Sequence, residues 1–168
     1  MGDAILRGKA IFAGDDVSTD DIIPGRFAHL RSNLPELATH AFEDRLPGFQ
    51  ERVSKGDILI GGRNFGLGSS REHAPVVIRM AGISAIIAAS VARIFYRNAI
   101  NQGLAVLMCD TSGINDGDEL EIVLEEGLVI DHTTGARMNC GRIPPLMARI
   151  LEAGGLVPYI RIHGSLDA

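Results

Sequence analysis

The sequence predicts an α/β protein built on a mixed parallel and antiparallel sheet, and three observations predict it. The middle of the chain alternates apolar strand-like runs with helical patterns, as parallel βαβ units do. Residues Glu119–Asp131 then alternate polar and apolar side chains around Glu126-Gly127, the pattern of an antiparallel hairpin. No repeat or low-complexity tract breaks the chain, and 168 residues suit one domain over 1–168 with a substantial core.

Taken in order, AILRGKAIF (Ala4–Phe12) reads as a first strand, and GDDVSTDDIIPGR (Gly14–Arg26) as a polar turn segment running into an Ile-Ile-Pro stop. Pro35–Leu46 carries a helical pattern that Pro47-Gly48 ends. DILIGG (Asp57–Gly62) is a short apolar run closed by glycines, the signature of a buried strand. APVVIRMAG (Ala74–Gly82) has apolar residues at helical spacing and stops at a glycine. ISAIIAAS (Ile83–Ser90) is a buried strand, VARIFYRNAINQG (Val91–Gly103) a helix, and LAVLMC (Leu104–Cys109) a further strand. After the hairpin, Pro144–Ala153 is expected as a last helix and LVPYIRI (Leu156–Ile162) as a last strand.

Composition narrows the function classes. Apolar content of 46% and charged content of 22% are those of a globular protein. A net charge of −5 without a basic run disfavours generic nucleic-acid binding, which needs clustered positive surface. The longest uncharged apolar stretch, Met80–Ala92, is shorter than the roughly 20 residues of a membrane span. MGDAILRGKA at the N-terminus lacks an apolar signal core, so a cytoplasmic location is expected. The two cysteines, Cys109 and Cys140, have no CxxC spacing, and Cys109 in LAVLMC reads as core. Two distant cysteines alone assemble neither a structural zinc site nor an iron–sulfur cluster, so no metal site is expected on this chain.

The chemistry concentrates in NFGLGSSREHAP, residues 64–75, on the turn from strand to helix. Ser69 and Glu72 stand at the spacing of a capping box. Pro75 argues against that reading. It has no N–H, so it fits only among the first four helical positions, and a helix starting nearer Arg71 accommodates it. Ser69 and Ser70 are then left in the turn, facing a helix N-terminus that favours anions. Arg71 adds a planar fork suited to carboxylate or phosphate. The glycines match no known phosphate loop, since neither Gly-Lys-Ser/Thr nor GxGxxG follows. GSSR is not a nucleophile elbow either, because the second glycine is missing.

Asp15, Asp16, Ser18, Thr19, Asp20 and Asp21 form a second polar cluster. It lacks the pattern of a calcium loop. One reading is a solvated turn whose side chains cap backbone N–H groups, and the other gives one aspartate a place in a charged site. His73 fits a local pairing better than a catalytic base. Arg93 and Arg97 form a solvated or interface face of their helix, unless Arg97 and Asn98 line the cleft; the residues leave both open.

In combination, GDDVSTDDIIPGR, GGRNFGLGSSREHAP and SVARIFYRNAINQGL closely resemble the small subunits of isopropylmalate dehydratases, the swivelling domain of the aconitase superfamily made as a separate chain. The resemblance runs in order from about Gly14 to Val106. It implies a swivel-type fold with barrel-like β/β/α layers. It implies that Ser69 is the catalytic base, that Ser70 and Arg71 hold a substrate carboxylate, and that Asp20 is the active-site aspartate. Asp21 and Ile23 depart from the aconitase version and receive no role. The resemblance also implies a large partner subunit whose [4Fe–4S] cluster binds the departing hydroxyl, so that only the complex is active.

The reaction so implied interconverts 2- and 3-isopropylmalate through isopropylmaleate in leucine synthesis. The loop RFAHLRSN (Arg26–Asn33) would read the variable substituent of the substrate. There, His29-Leu30-Arg31-Ser32 resembles the version associated with a third carboxylate, and Arg31 suits an anion better than an isopropyl group. His29 and Arg31 are therefore candidate substrate contacts. Homoaconitase or a related malate hydro-lyase is the alternative within the family. A non-catalytic anion-binding module is the alternative from a different class.

Overall fold

The computed structural model describes residues 4–166. Residues 1–3, which open the MGDAILRGKA stretch, and residues 167–168 lie outside them. The longest strand is β1 (Ile5–Gly14). Three short strands, β2 (Ile58–Gly61), β3 (Ala85–Ala88) and β4 (Ala105–Met108), follow beside it in parallel. Then β5 (Glu119–Val123), β6 (Leu128–Asp131) and β7 (Arg137–Asn139) add an antiparallel meander. The seven strands run in the order β4-β3-β2-β1-β5-β6-β7.

Strand β1 joins the two halves by dividing its length. Ile5–Lys9 pairs antiparallel with β5, and Ala10–Gly14 pairs parallel with β2, with a bulge between Phe12 and Gly14. One face of the parallel strands (Ile11, Leu59, Ile86, Val106) packs against helices. The other face (Ile58, Ile60, Ala85, Ile87, Leu107) packs against Leu120, Ile122 and Val129 of the meander. The sheet therefore curls over itself, giving the mixed sheet and β/β/α layers expected. Strands buried on both faces read as unbroken apolar runs, which is why ILI, AIIA and AVL stood out. Each Ile, Leu or Val among them contributes about 1.5–3 kcal/mol on leaving water.

The helices are short. After β1, one turn, α1 (Thr19–Ile22), precedes a 3-10 segment, Gly25–Ser32, and α2 (Leu34–Ala38). The stretch read as a polar turn thus contains a helical turn, closed by a capping box between Ser18 and Asp21. The helix expected over Pro35–Leu46 ends at Ala38. Phe42 breaks it with a positive φ of 57°, which lets the ring seat in the core against Phe49. One turn, α3 (Phe49–Arg52), was not anticipated. Helices α4 (His73–Met80), α5 (Arg93–Asn101) and α6 (Pro145–Ala153) lie where the periodicity placed them.

The last strand is a correction, because Leu156–His163 is a helix, α7. Gly155 caps it with φ 131°, and Pro158 falls in its first turn, where a missing N–H costs nothing. Tyr159 is fully buried against Ile100 and Ile150. Among the described residues, no helix is long and apolar enough to cross a membrane.

Candidate active site

Three loops meet at the carboxyl ends of β1, β2 and β3, and their backbones hold one another. From the first loop, Asp16 N donates to Arg63 O at 2.8 Å, and Thr19 N donates to Leu67 O at 2.8 Å. Gly66 N donates back to Val17 O at 2.7 Å. On the other side, Phe65 N donates to Ser90 O at 3.0 Å and Ala92 N donates to Phe65 O at 2.9 Å. Phe65 is buried, edge-on to Phe95 with ring centroids 5.3 Å apart.

The two glycines of NFGLGSS follow from this crowding. Gly66 has φ +82°, and a Cβ there would lie 2.3 Å from Phe95 Cγ. Gly68 has φ +106° and would bring a Cβ to 3.1 Å from Thr19 Oγ1. Only glycine combines a positive φ with so close an approach.

Helix α4 begins at His73 with Pro75 third, and Glu72 at its cap has helical backbone and no side-chain cap bond. The Ser69–Glu72 capping box does not form. Ser69 and Ser70 instead stand exposed in the turn. The N–H groups of Ser69, Ser70 and Arg71 make no hydrogen bond among the described residues. Three unused N–H donors and two exposed hydroxyls thus stand just before a helix start, which is the chemistry of an anion site.

Asp20 and Arg71 come together across the loops. Arg71 Nη2 lies 2.5 Å from Asp20 Oδ1, and Arg71 Nη1 donates to Ile23 O at 2.8 Å. The Arg71 fork is therefore held from two sides beside the serines. Buried Thr19 brings its Oγ1 to 3.5 Å from Ser69 Oγ, so α1 carries a contact to each end of Ser69-Ser70-Arg71. The other aspartates do what a structured turn asks. Asp21 accepts from Ser18 N at 2.9 Å, Asp15 from Arg63 N at 2.7 Å, and Asp16 from Asn64 Nδ2 at 3.0 Å.

Ser70 and Arg71 separate two depressions. The larger, about 530 Å³, is lined by Thr19, Ser69, Ser70 and Arg71 on one side and by Arg93, Ile94, Arg97 and Asn98 of α5 on the other. The smaller, about 430 Å³, adds Ala28, Arg31, Glu72 and His73 to Ser70 and Arg71. Arg31 thus reaches the neighbourhood of the serines, with its Nε on Ala28 O at 3.0 Å. His29 is exposed and lines neither depression. No hydrogen bond joins His73 to either serine among the described residues. Thr19 and Arg93 were missed as site residues. The i, i+4 spacing of Arg93 and Arg97 was the available signal, and it fitted a solvated face equally well.

Cys109 and Cys140 pack against the second core, away from the serine turn. The two thiols perturb each other: that interaction lowers the Cys109 pKa and, together with burial, pushes Cys140 up. Among the described residues, no three His, Cys, Asp or Glu side chains gather in a way that would hold a metal ion. The described residues, with Cys109 and Cys140 as their cysteines, do not supply the donor set of an iron–sulfur cluster.

Residues 16–111 match the family described as the aconitase C-terminal domain. The chain is 55% identical over 161 residues to "3-isopropylmalate dehydratase small subunit 2" of Archaeoglobus fulgidus, covering 96% of this chain and 98% of that one. It is 46% identical over 160 residues to the "isopropylmalate/citramalate isomerase small subunit" of Methanocaldococcus jannaschii, covering 94% and 95%. A crystal structure of 3-isopropylmalate dehydratase from M. jannaschii superposes with a TM-score of 0.90 at 43% identity, covering 96% of each chain.

Proposed function

Because the chain belongs to the aconitase C-terminal domain family, among its 3-isopropylmalate dehydratase small subunits, we propose that Ser69 is the base of a hydro-lyase reaction on isopropylmalate. The observation that carries this is the pair of exposed hydroxyls and unused N–H groups at Ser69-Ser70-Arg71, outside the helix and beside a fixed guanidinium. A serine hydroxyl is a weak base until its anion is stabilised. Preorganised N–H donors, the α4 N-terminus and the guanidinium supply that stabilisation where water is excluded. Ser69 Oγ takes the proton from the carbon next to a carboxylate. Ser70 and Arg71 hold that carboxylate, and Asp20 fixes Arg71. Thr19 orients Ser69. We also read residues 1–168 as one swivel-type domain, since a single sheet runs through both halves of the chain.

A small subunit of this family works with a large one. We assign the [4Fe–4S] cluster to that partner, where it supplies a Lewis acid for the departing hydroxyl. The serines are open to solvent, so the partner also has to close the site. The relative named for both isopropylmalate and citramalate supports a site that accepts more than one malate, and Arg31 beside Ser70 and Arg71 supports anionic substituents as well. The isolated chain is expected to show no dehydratase activity. Mixing it anaerobically with a cluster-loaded large subunit is expected to give turnover of 2-isopropylmalate. Activity in the isolated chain would refute the half-enzyme reading.

A further inference from the structure

A charge count around the larger depression leads beyond the serine turn. The substrate in the proposed reading carries two carboxylates, and this inference rests on that reading. The charged residues lining the depression are Arg71, Arg93 and Arg97, with no carboxylate among them. Arg71 is already matched by Asp20 at 2.5 Å. Toward a dianion, the Asp20–Arg71 pair together is close to neutral. It orients one carboxylate by hydrogen bonding and leaves most of the charge uncompensated.

Arg93 and Arg97 are different. They stand four apart on α5, and both are exposed. Neither makes an ion pair or hydrogen bond among the described residues. Helical spacing i, i+4 places both on one face, and that face borders the depression opposite Ser69 and Ser70. Asn98 adds an amide to the same wall. Nothing in the fold needs these two charges there, since Phe95, Ala99 and Ile100 supply the buried side of α5.

We infer that Arg93 and Arg97 of α5 are the anchor for the substrate's second carboxylate, across the depression from the Ser70–Arg71 contact. The substrate then lies between the α4 turn and α5, with the carbon that loses its proton presented to Ser69. Two unpaired guanidiniums at an open mouth also raise the local concentration of a dianion and speed its capture. Ile94, an exposed apolar side chain between them, borders the same space.

The test uses the reconstituted complex with the large subunit and 2-isopropylmalate as substrate. Arg93→Gln and Arg97→Gln remove the charge but keep a polar, unbranched side chain of similar helix propensity, and both positions are exposed, so the fold is retained. The double variant is expected to raise KM about tenfold or more, the size of a lost charge-assisted contact, with kcat changed by less than about threefold. The fall of kcat/KM with rising salt becomes shallower in it, a readout that a packing defect does not move. Arg97→Lys in the single-variant background recovers part of the KM loss. Binding of the large subunit, followed by titration calorimetry, stays at the wild-type value. An unchanged KM overturns the inference. So does a loss of activity that tracks weakened subunit association, which would assign the arginines to the subunit contact. Ser69→Ala measured in parallel separates the two levels. If it abolishes turnover while the double variant keeps its KM, only the inference fails; if it leaves turnover intact, the underlying reading fails.

Discussion

Replacing Gly66 with alanine tests how the serine turn is held, because the structure supplies its own control. Gly66 and Gly135 share a φ of +82°, but their surroundings differ. At Gly66 a Cβ would meet Phe95 at 2.3 Å, whereas at Gly135 nothing lies within 4 Å. Both substitutions carry the same left-handed backbone cost, about 1–2 kcal/mol. Both restrict the unfolded chain equally, and that term cancels between them. The difference between the two variants therefore isolates the clash. Phe95 is buried edge-on to Phe65, so it has little room to withdraw, and overpacking of this kind costs about 1–3 kcal/mol. Urea unfolding of the isolated chain at constant m-value measures it. Gly66→Ala should lose about 1–3 kcal/mol more than Gly135→Ala. Equal losses would show that Phe95 yields freely and that the turn is not seated against α5.

Two further outcomes follow from other parts of the fold. Asp131 is buried, and although burial raises its carboxyl pKa, the N–H groups of Thr134 and Thr133 on its Oδ1 hold it below the ordinary 3.8. A depressed folded-state pKa gives stability that is complete above the unfolded value and lost as pH falls through the folded one. Acid unfolding below about pH 4 should therefore be less steep in Asp131→Ala, and an identical acid limb in wild type and variant would refute this. Arg31 is exposed and, among the described residues, is tied only to Ala28 O, so Arg31→Val leaves the core intact. If Arg31 pairs with the substrate's variable group, the kcat/KM ratio should shift toward isopropylmalate over a tricarboxylate by roughly tenfold, which needs only about 1.4 kcal/mol. An unchanged ratio removes Arg31 from specificity.

Much of this was legible in particular residues. Pro75 located the start of α4 and so freed Ser69 and Ser70, because a proline's missing N–H is tolerated only near a helix start. The capping box that does form, Ser18 with Asp21, lies in the acidic cluster and not in the GSSRE stretch, where Pro75 rules one out. LVPYIRI misled because Val157, Ile160 and Ile162 are β-branched, yet all three are exposed on α7. What decides its helix is the burial of Tyr159 against Ile100 and Ile150, a contact between distant parts of the chain. The Asp20–Arg71 pair and the α5 wall are likewise tertiary facts. Both depend on three loops being brought to one edge of the sheet, which spacing along the chain does not encode.

The most direct measurement of the central claim is turnover by the complex carrying Ser69→Ala. The side chain is exposed, its one hydrogen-bond partner among the described residues is Thr19 Oγ1 at 3.5 Å, and it caps no helix there. The variant should unfold at the wild-type denaturant midpoint and bind the large subunit unchanged. Its kcat should fall by on the order of 10²–10⁴, the usual contribution of a positioned general base. A variant that keeps its rate but loses about 1 kcal/mol of stability would contradict the account and make Ser69 a helix cap.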